Sequence, residues 1–146
     1  MKKGLPIVLF FFLNMTTVLA QDWLLDFDKA KEIASRESKP IILVFQGSDW
    51  CEPCIKLDRE IWSSDTFKNY ASENFVMLKA DFPMKEQNAI SEEQRAANIV
   101  LAEAYNKNGL FPLVIVLDSQ GRVLGETGYK KTSPEEYINE LNAIAK

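Results

Sequence analysis

From Asp26 onward the chain alternates two kinds of stretch: segments with an apolar residue every third or fourth position, and short continuous apolar runs. Phe27, Ala30, Ile33 and Ala34 share one side of a helix that Asp26 is placed to cap. That helix should end near Ser38, because Pro40 disfavours helical geometry at Lys39. Ile41 to Phe45 is short, apolar and partly β-branched, which predicts a buried strand, with Gln46 to Asp49 as the loop after it. A second helix is expected to start around Cys51, with Cys54, Leu57 and Ile61 spaced three and four apart. Ser63 to Asp65 interrupts it, and Phe67, Tyr70 and Ala71 continue it.

Phe75 to Ala80 predicts a second core strand, followed by a polar loop from Asp81 to Ile90. Ser91 with Gln94 three residues on has the form of a capping box. Behind it, Ala97, Val100, Leu101, Ala104 and Tyr105 form a helical stripe, and Gly109 suits the C′ position past that helix. Pro112 opens the apolar run Leu113 to Leu117. Asp118 to Gly121 reads as a turn, with Arg122 to Glu126 as the hairpin partner. Ser133-Pro134-Glu135-Glu136 starts a last helix with a cap, a proline and first-turn acids, running to about Ala145. Strands separated by helices imply parallel pairing, and the hairpin adds antiparallel edges. The expected fold class is therefore α/β: a mixed sheet with helices on both faces.

The first twenty residues follow another plan. Lys2 and Lys3 precede an apolar run from Leu5 to Leu13, and Val18-Leu19-Ala20 ends in small residues at the −3 and −1 places. This is the layout of a secretory signal peptide, with cleavage expected after Ala20. The apolar run is much shorter than the roughly 20 residues of a membrane span. The expected organisation is a signal peptide over 1–20 and one domain over 21–146, periplasmic or secreted. Without the first twenty residues, 15 basic residues face 21 acidic ones, a charge of −6. No basic stretch suited to phosphates is present, so nucleic acid is not an expected partner.

Export changes how the cysteines read. There are two, Cys51 and Cys54, and no histidine. A staple gains most by closing a long loop, and this pair closes almost none. A structural zinc site wants four ligands, and Cys-His catalysis wants a histidine. Two cysteines three apart at a helix start have a better use. Unpaired N–H groups and the helix dipole favour the first as a thiolate. The second, one turn inward, is placed to resolve a mixed disulfide. Cys51 is thus the expected nucleophile and Cys54 the expected resolving thiol of an exposed redox pair. Pro53 stiffens the turn and removes a donor that would lack a partner.

Trp50-Cys51-Glu52-Pro53-Cys54 is similar to the Trp-Cys-Gly-Pro-Cys motif of thioredoxins. The wider stretch from Lys39-Pro40-Ile41 through Asp49-Trp50-Cys51 to Phe75–Asp81 resembles exported thioredoxin-like proteins, including the carboxy-terminal domain of the DsbD disulfide-interchange protein. The resemblance implies a four- or five-stranded thioredoxin sheet and disulfide exchange with protein thiols, with no cofactor beyond the cysteine pair. It also implies a membrane or soluble electron donor. Pro112, after Leu110-Phe111, stands where the family has a cis-proline facing the motif. A cis bond there would turn Phe111 backbone groups toward a bound peptide.

Departures from the family pattern sharpen the expectations. The family's buried Asp on the strand before the motif falls here at Val44 or Phe45, both apolar, which leaves the proton acceptor of Cys54 open between Glu52 and water. Glu52 replaces the family's glycine, and its charge should oppose thiolate formation at Cys51. A strong oxidant of this fold stabilises its thiolate, so a reducing or intermediate poise is expected. Trp50 is expected to shield the cysteines and offer a flat contact surface. The expected function is a monomeric exported thiol–disulfide oxidoreductase, acting as a reductant. The rivals are a non-enzymatic peptide-binding module and a soft-metal-handling protein.

Overall fold

The computed structural model describes residues 22–146. The expected signal peptide over 1–20 lies outside the described residues. Among the described residues, five α-helices surround a four-stranded sheet: α1 (Phe27–Glu37), β1 (Ile41–Gln46), α2 (Glu52–Leu57), α3 (Asp65–Asn74), β2 (Val76–Asp81), α4 (Glu92–Tyr105), β3 (Leu113–Leu117), β4 (Val123–Thr127) and α5 (Pro134–Ile144). The strand order is β2-β1-β3-β4. β1 runs parallel to β2 and antiparallel to β3, and β3 pairs antiparallel with β4. Just before α1, Leu24 makes a parallel bridge to Leu78, the beginning of a fifth strand on the β2 edge.

Local chemistry explains these boundaries. The Asp26 side chain accepts from the Lys29 N–H, and Ser38 ends α1 in the left-handed region at φ 54°. Ser133 and Glu136 form the reciprocal capping box of α5. β1 and β3 are buried along their whole length, as their unbroken apolar runs require.

Alternation along the strands sorts the core into two layers. Ile42, Val44, Met77, Val114 and Val116 face α2, α3 and α5, against Trp62, Phe67, Tyr137 and Leu141. Ile41, Leu43, Phe45, Leu78, Ile115 and Leu117 face α1 and α4, against Ala30, Ala34 and Leu101.

Three sequence expectations need correction. At α4 the buried face is Asn98 and Leu101, while Val100 is 63% exposed and Ala97 and Ala104 are exposed. The helix is rotated because Asn98 turns inward, donating from Nδ2 to the Asp81 carbonyl. Half of the expected capping box forms there. Ser91 accepts from the Gln94 N–H, but the Gln94 amide donates to the Leu25 carbonyl and to Asn98 Oδ1. Gly109 takes a positive φ of 62°, though not at C′: α4 is capped at Asn106, and Gly109 closes the following turn by donating to the Asn106 carbonyl.

Candidate active site

The site forms where β1 leaves the sheet and α2 begins. Cys51 is the N-cap of α2, with extended backbone, and its Sγ accepts from the Cys54 N–H at 3.3 Å. A sulfur here does the work usually given to a serine or aspartate oxygen at a helix start. Pro53 stands in the first turn, where its missing N–H leaves no gap in the helix ladder. Cys51 and Cys54 are joined in a disulfide, with Cα atoms 5.2 Å apart. After Leu57 the helix widens into a π turn over Asp58–Trp62, closed by a Ser63 N–H to Asp58 carbonyl bond of 2.8 Å. Such insertions recur beside functional sites.

The expectation of an exposed pair is corrected: Cys51 is 5% and Cys54 3% exposed. Each sulfur of the bond covers the other, and Cys54 lies on the inner side of the short helix. The exposed apolar surface belongs to the neighbours instead, with Trp50 at 41%, Ile55 at 37% and Leu110 at 50%.

Trp50 is fixed from three sides. Its Nε1 donates to the Phe82 carbonyl at 2.7 Å. Its ring meets Phe111 edge-on at 5.5 Å, and Phe111 meets Phe82 at 5.7 Å. Its indole also lies on the backbone of Gly47, where any side chain would collide with it. The Phe111–Pro112 bond is cis, and the Phe111 ring stands against Trp50, the residue before Cys51. Glu52 departs from that group. It reaches into solvent and pairs with Lys56 at 3.6 Å, an exposed contact that solvent screens.

Sequence reasoning missed the residues that sew the next loop to the site. Asp49 accepts from the Met84 N–H, the Lys85 N–H and Asn88 Nδ2, each at 2.9 Å. The backbone bond from Met84 is the largest cause holding its carboxyl below the ordinary value of 3.8. Ser48 bonds both oxygens of Asp81, through its N–H at 3.0 Å and its hydroxyl at 2.6 Å. The missed signal was a Ser-Asp pair placed just before a helix start. Lys79 was missed as well. It is the charged residue inside the predicted core strand Phe75–Ala80, and that placement alone marked it.

A family model described as thioredoxin-like matches residues 22–119. The disulfide bond reductase DsbH of Chlamydia pneumoniae is 36% identical over 118 residues, covering 81% of this chain and 69% of that protein. The thioredoxin-related protein DsbJ of Chlamydia pneumoniae is 28% identical over 106 residues, covering 73% of this chain and 30% of that protein. Among solved structures, one described as DsbH oxidoreductase superposes with a TM-score of 0.80 at 30% identity, over 98% of this chain and 94% of that one. Matched over residues 22–119 by the family model, and carrying its own Cys51–Cys54 disulfide as the redox group, the chain belongs to the thioredoxin-like family of thiol–disulfide interchange proteins.

Proposed function

We propose that this chain is an exported reductant of protein disulfides, with Cys51 as the attacking thiolate and Cys54 as the resolving thiol. The observation that carries this reading is the Cys54 N–H donating to Cys51 Sγ at the start of α2. A hydrogen bond to the charged form of a group favours that form, so the same N–H supports a thiolate once the disulfide is reduced. Trp50, Phe111 and the cis Pro112 form the contact surface for an extended substrate segment.

The reaction runs in two exchanges. The Cys51 thiolate attacks one sulfur of the substrate disulfide, and the other substrate sulfur leaves as a thiolate and takes a proton. Cys54 then attacks Cys51 Sγ, the second substrate sulfur leaves, and the chain is left oxidised. Two electrons have passed to the substrate, so a membrane or soluble donor must restore the dithiol. The reductive direction is supported by the 36% identical relative, which is named a disulfide bond reductase. The Glu52 charge near Cys51 acts in the same sense, weakened by its exposure and its pairing with Lys56. Export rests on the sequence of the first twenty residues.

Insulin reduction in the presence of dithiothreitol tests the activity. Wild type should precipitate the insulin chains well ahead of dithiothreitol alone, and Cys51→Ser should fall to the background rate. Equal turnover by the two proteins leaves only a binding role.

A further inference from the structure

We infer that Asn106 is a positioning residue for substrate capture: its side-chain amide locks both backbone groups of Leu110 and so aims the Phe111 N–H at an incoming peptide segment. This deepens the proposed reading of Phe111 as a substrate contact and rests on it.

Asn106 caps the end of α4, where its own N–H donates to the Ala102 carbonyl at 2.8 Å. Its side chain turns inward, and the residue is 5% exposed. A buried amide needs partners for its donors and its acceptor. Both partners lie on one residue. Nδ2 donates to the Leu110 carbonyl and Oδ1 accepts from the Leu110 N–H, each at 2.9 Å. Paired residues in an antiparallel ladder exchange the same two bonds. β3 begins only at Leu113, so at Leu110 the amide takes the place of a neighbouring strand. Asparagine suits this role by its chemistry. An ionised aspartate has no donor for the carbonyl, and leucine has neither donor nor acceptor.

The consequence falls on Phe111. The Leu110 carbonyl and the Phe111 N–H belong to one planar peptide unit. Phe111–Pro112 is the cis bond among the described residues, so the unit before it is trans, and its C=O and N–H point in opposite directions. With the carbonyl turned in to the buried Asn106 amide, the N–H turns away from it. That N–H has no acceptor among the described residues. A free backbone donor at a half-buried residue is costly until something binds it. The Phe111 ring stands against Trp50, the residue before Cys51.

Leu110, with both backbone groups taken, offers only its exposed side chain. The occupant is therefore an extended peptide segment that brings a backbone carbonyl to Phe111 and an apolar side chain to Leu110. Because the donor is aimed before the substrate arrives, the loop needs no ordering on binding.

A short disulfide peptide tests this, together with analogues in which the amides flanking its cysteine are replaced one at a time by esters. An ester carbonyl is the weaker acceptor. The measured quantity is the rate constant for oxidation of the reduced protein by each peptide. With wild type, one ester should react about fivefold more slowly than the all-amide peptide, the size of one net hydrogen bond. With Asn106→Leu the all-amide peptide should itself slow about fivefold, and that ester should cost almost nothing more. A variant that is only loosened slows both peptides alike and keeps the wild-type ratio, which overturns the role of Asn106. Amide exchange gives a second reading that needs no change at Asn106. In the free chain the Leu110 amide should exchange slowly and the Phe111 amide fast. With the peptide trapped on Cys51 in Cys54→Ser, the Phe111 amide should become protected. A fast Leu110 amide or a slow Phe111 amide in the free chain also overturns the role of Asn106. If no ester slows wild type and the trapped peptide leaves the Phe111 amide unprotected, the reading of Phe111 as a substrate contact fails, and this inference with it.

Discussion

The two faces of the sheet are built of different materials. Under α2, α3 and α5 the core is aromatic: Trp62 meets Phe67 at 4.7 Å and Tyr137 at 5.3 Å between ring centres, and Phe75 closes the layer. Under α1 and α4 it is mainly aliphatic, with Ala30, Ala34 and Leu101 against Ile41, Leu43, Ile115 and Leu117, and Phe45 as its one fully buried ring. Large rings in edge-to-face contact have few alternative packings, whereas small aliphatic side chains tolerate adjustment. The helix that carries the disulfide stands on the aromatic face. The π turn that follows it ends on Trp62, which is buried in that layer. The other face serves as cover, and its α4 leaves Ile99 and Val100 in solvent.

Removing Trp62 should therefore cause the largest loss. Trp62→Ala is expected to cost about 3–5 kcal/mol, read from the urea unfolding midpoint. Trp62→Phe should cost about half of that or less. The Trp62 Nε1 is a buried donor without a hydrogen-bond partner, and removing an unpaired donor relieves a standing penalty. A Phe variant as damaged as the Ala variant would show that ring volume alone matters there. On the covering face, Leu101→Ala should cost about 2–5 kcal/mol, while its neighbour Val100→Ala should stay within about 0.5 kcal/mol. Similar losses at both positions would restore the stripe read from the sequence and reject the rotated helix.

That contrast also explains what was legible in the sequence. The aromatic face was readable because its helices carry large apolar residues at regular spacing, such as Leu57, Ile61 and Phe67, and these are buried. Ser133 announced α5 because a cap, a proline and first-turn acids are a local code, settled within four residues. α4 was misread because a buried amide decided its orientation. Asn98 satisfies itself on the Asp81 carbonyl, 17 residues away, and no periodicity reports a hydrogen bond across that separation. The same limit applied at the site. The cysteines and the cis Phe111–Pro112 bond followed from a motif and a resemblance, whereas Asp49 and Lys79 act through partners on distant segments. The burial of the pair was hidden for a similar reason, since it arises when α2 docks on the sheet.

The smallest effect is expected where the two faces are joined. The loop from Phe82 to Ile90 leaves β2 and leads to α4 on the covering face, while Asp49 belongs to the segment that leads into α2 on the aromatic one. The Asp49 carboxylate, with its three donors from the loop, bolts the two together. Its carboxyl is held below the ordinary 3.8, chiefly by the Met84 N–H, so the charged form is favoured in the folded chain. A group depressed in this way contributes stability that is complete above its unfolded value and is lost as the pH falls through the lowered folded value. Hydrogen exchange at the Met84 and Lys85 amides should therefore be protected and steady down to about pH 4, near the unfolded carboxyl value, and lose protection below it. In Asp49→Asn the protection should be weaker and nearly independent of pH over the same range, because a neutral amide accepts these bonds without charge assistance. Both cores are untouched, so the urea midpoint should move least of all the variants. If instead the Asn variant kept full protection at both amides, the loop would be held by the Trp50 to Phe82 bond and by Ser48 with Asp81, and the carboxylate would be incidental to it.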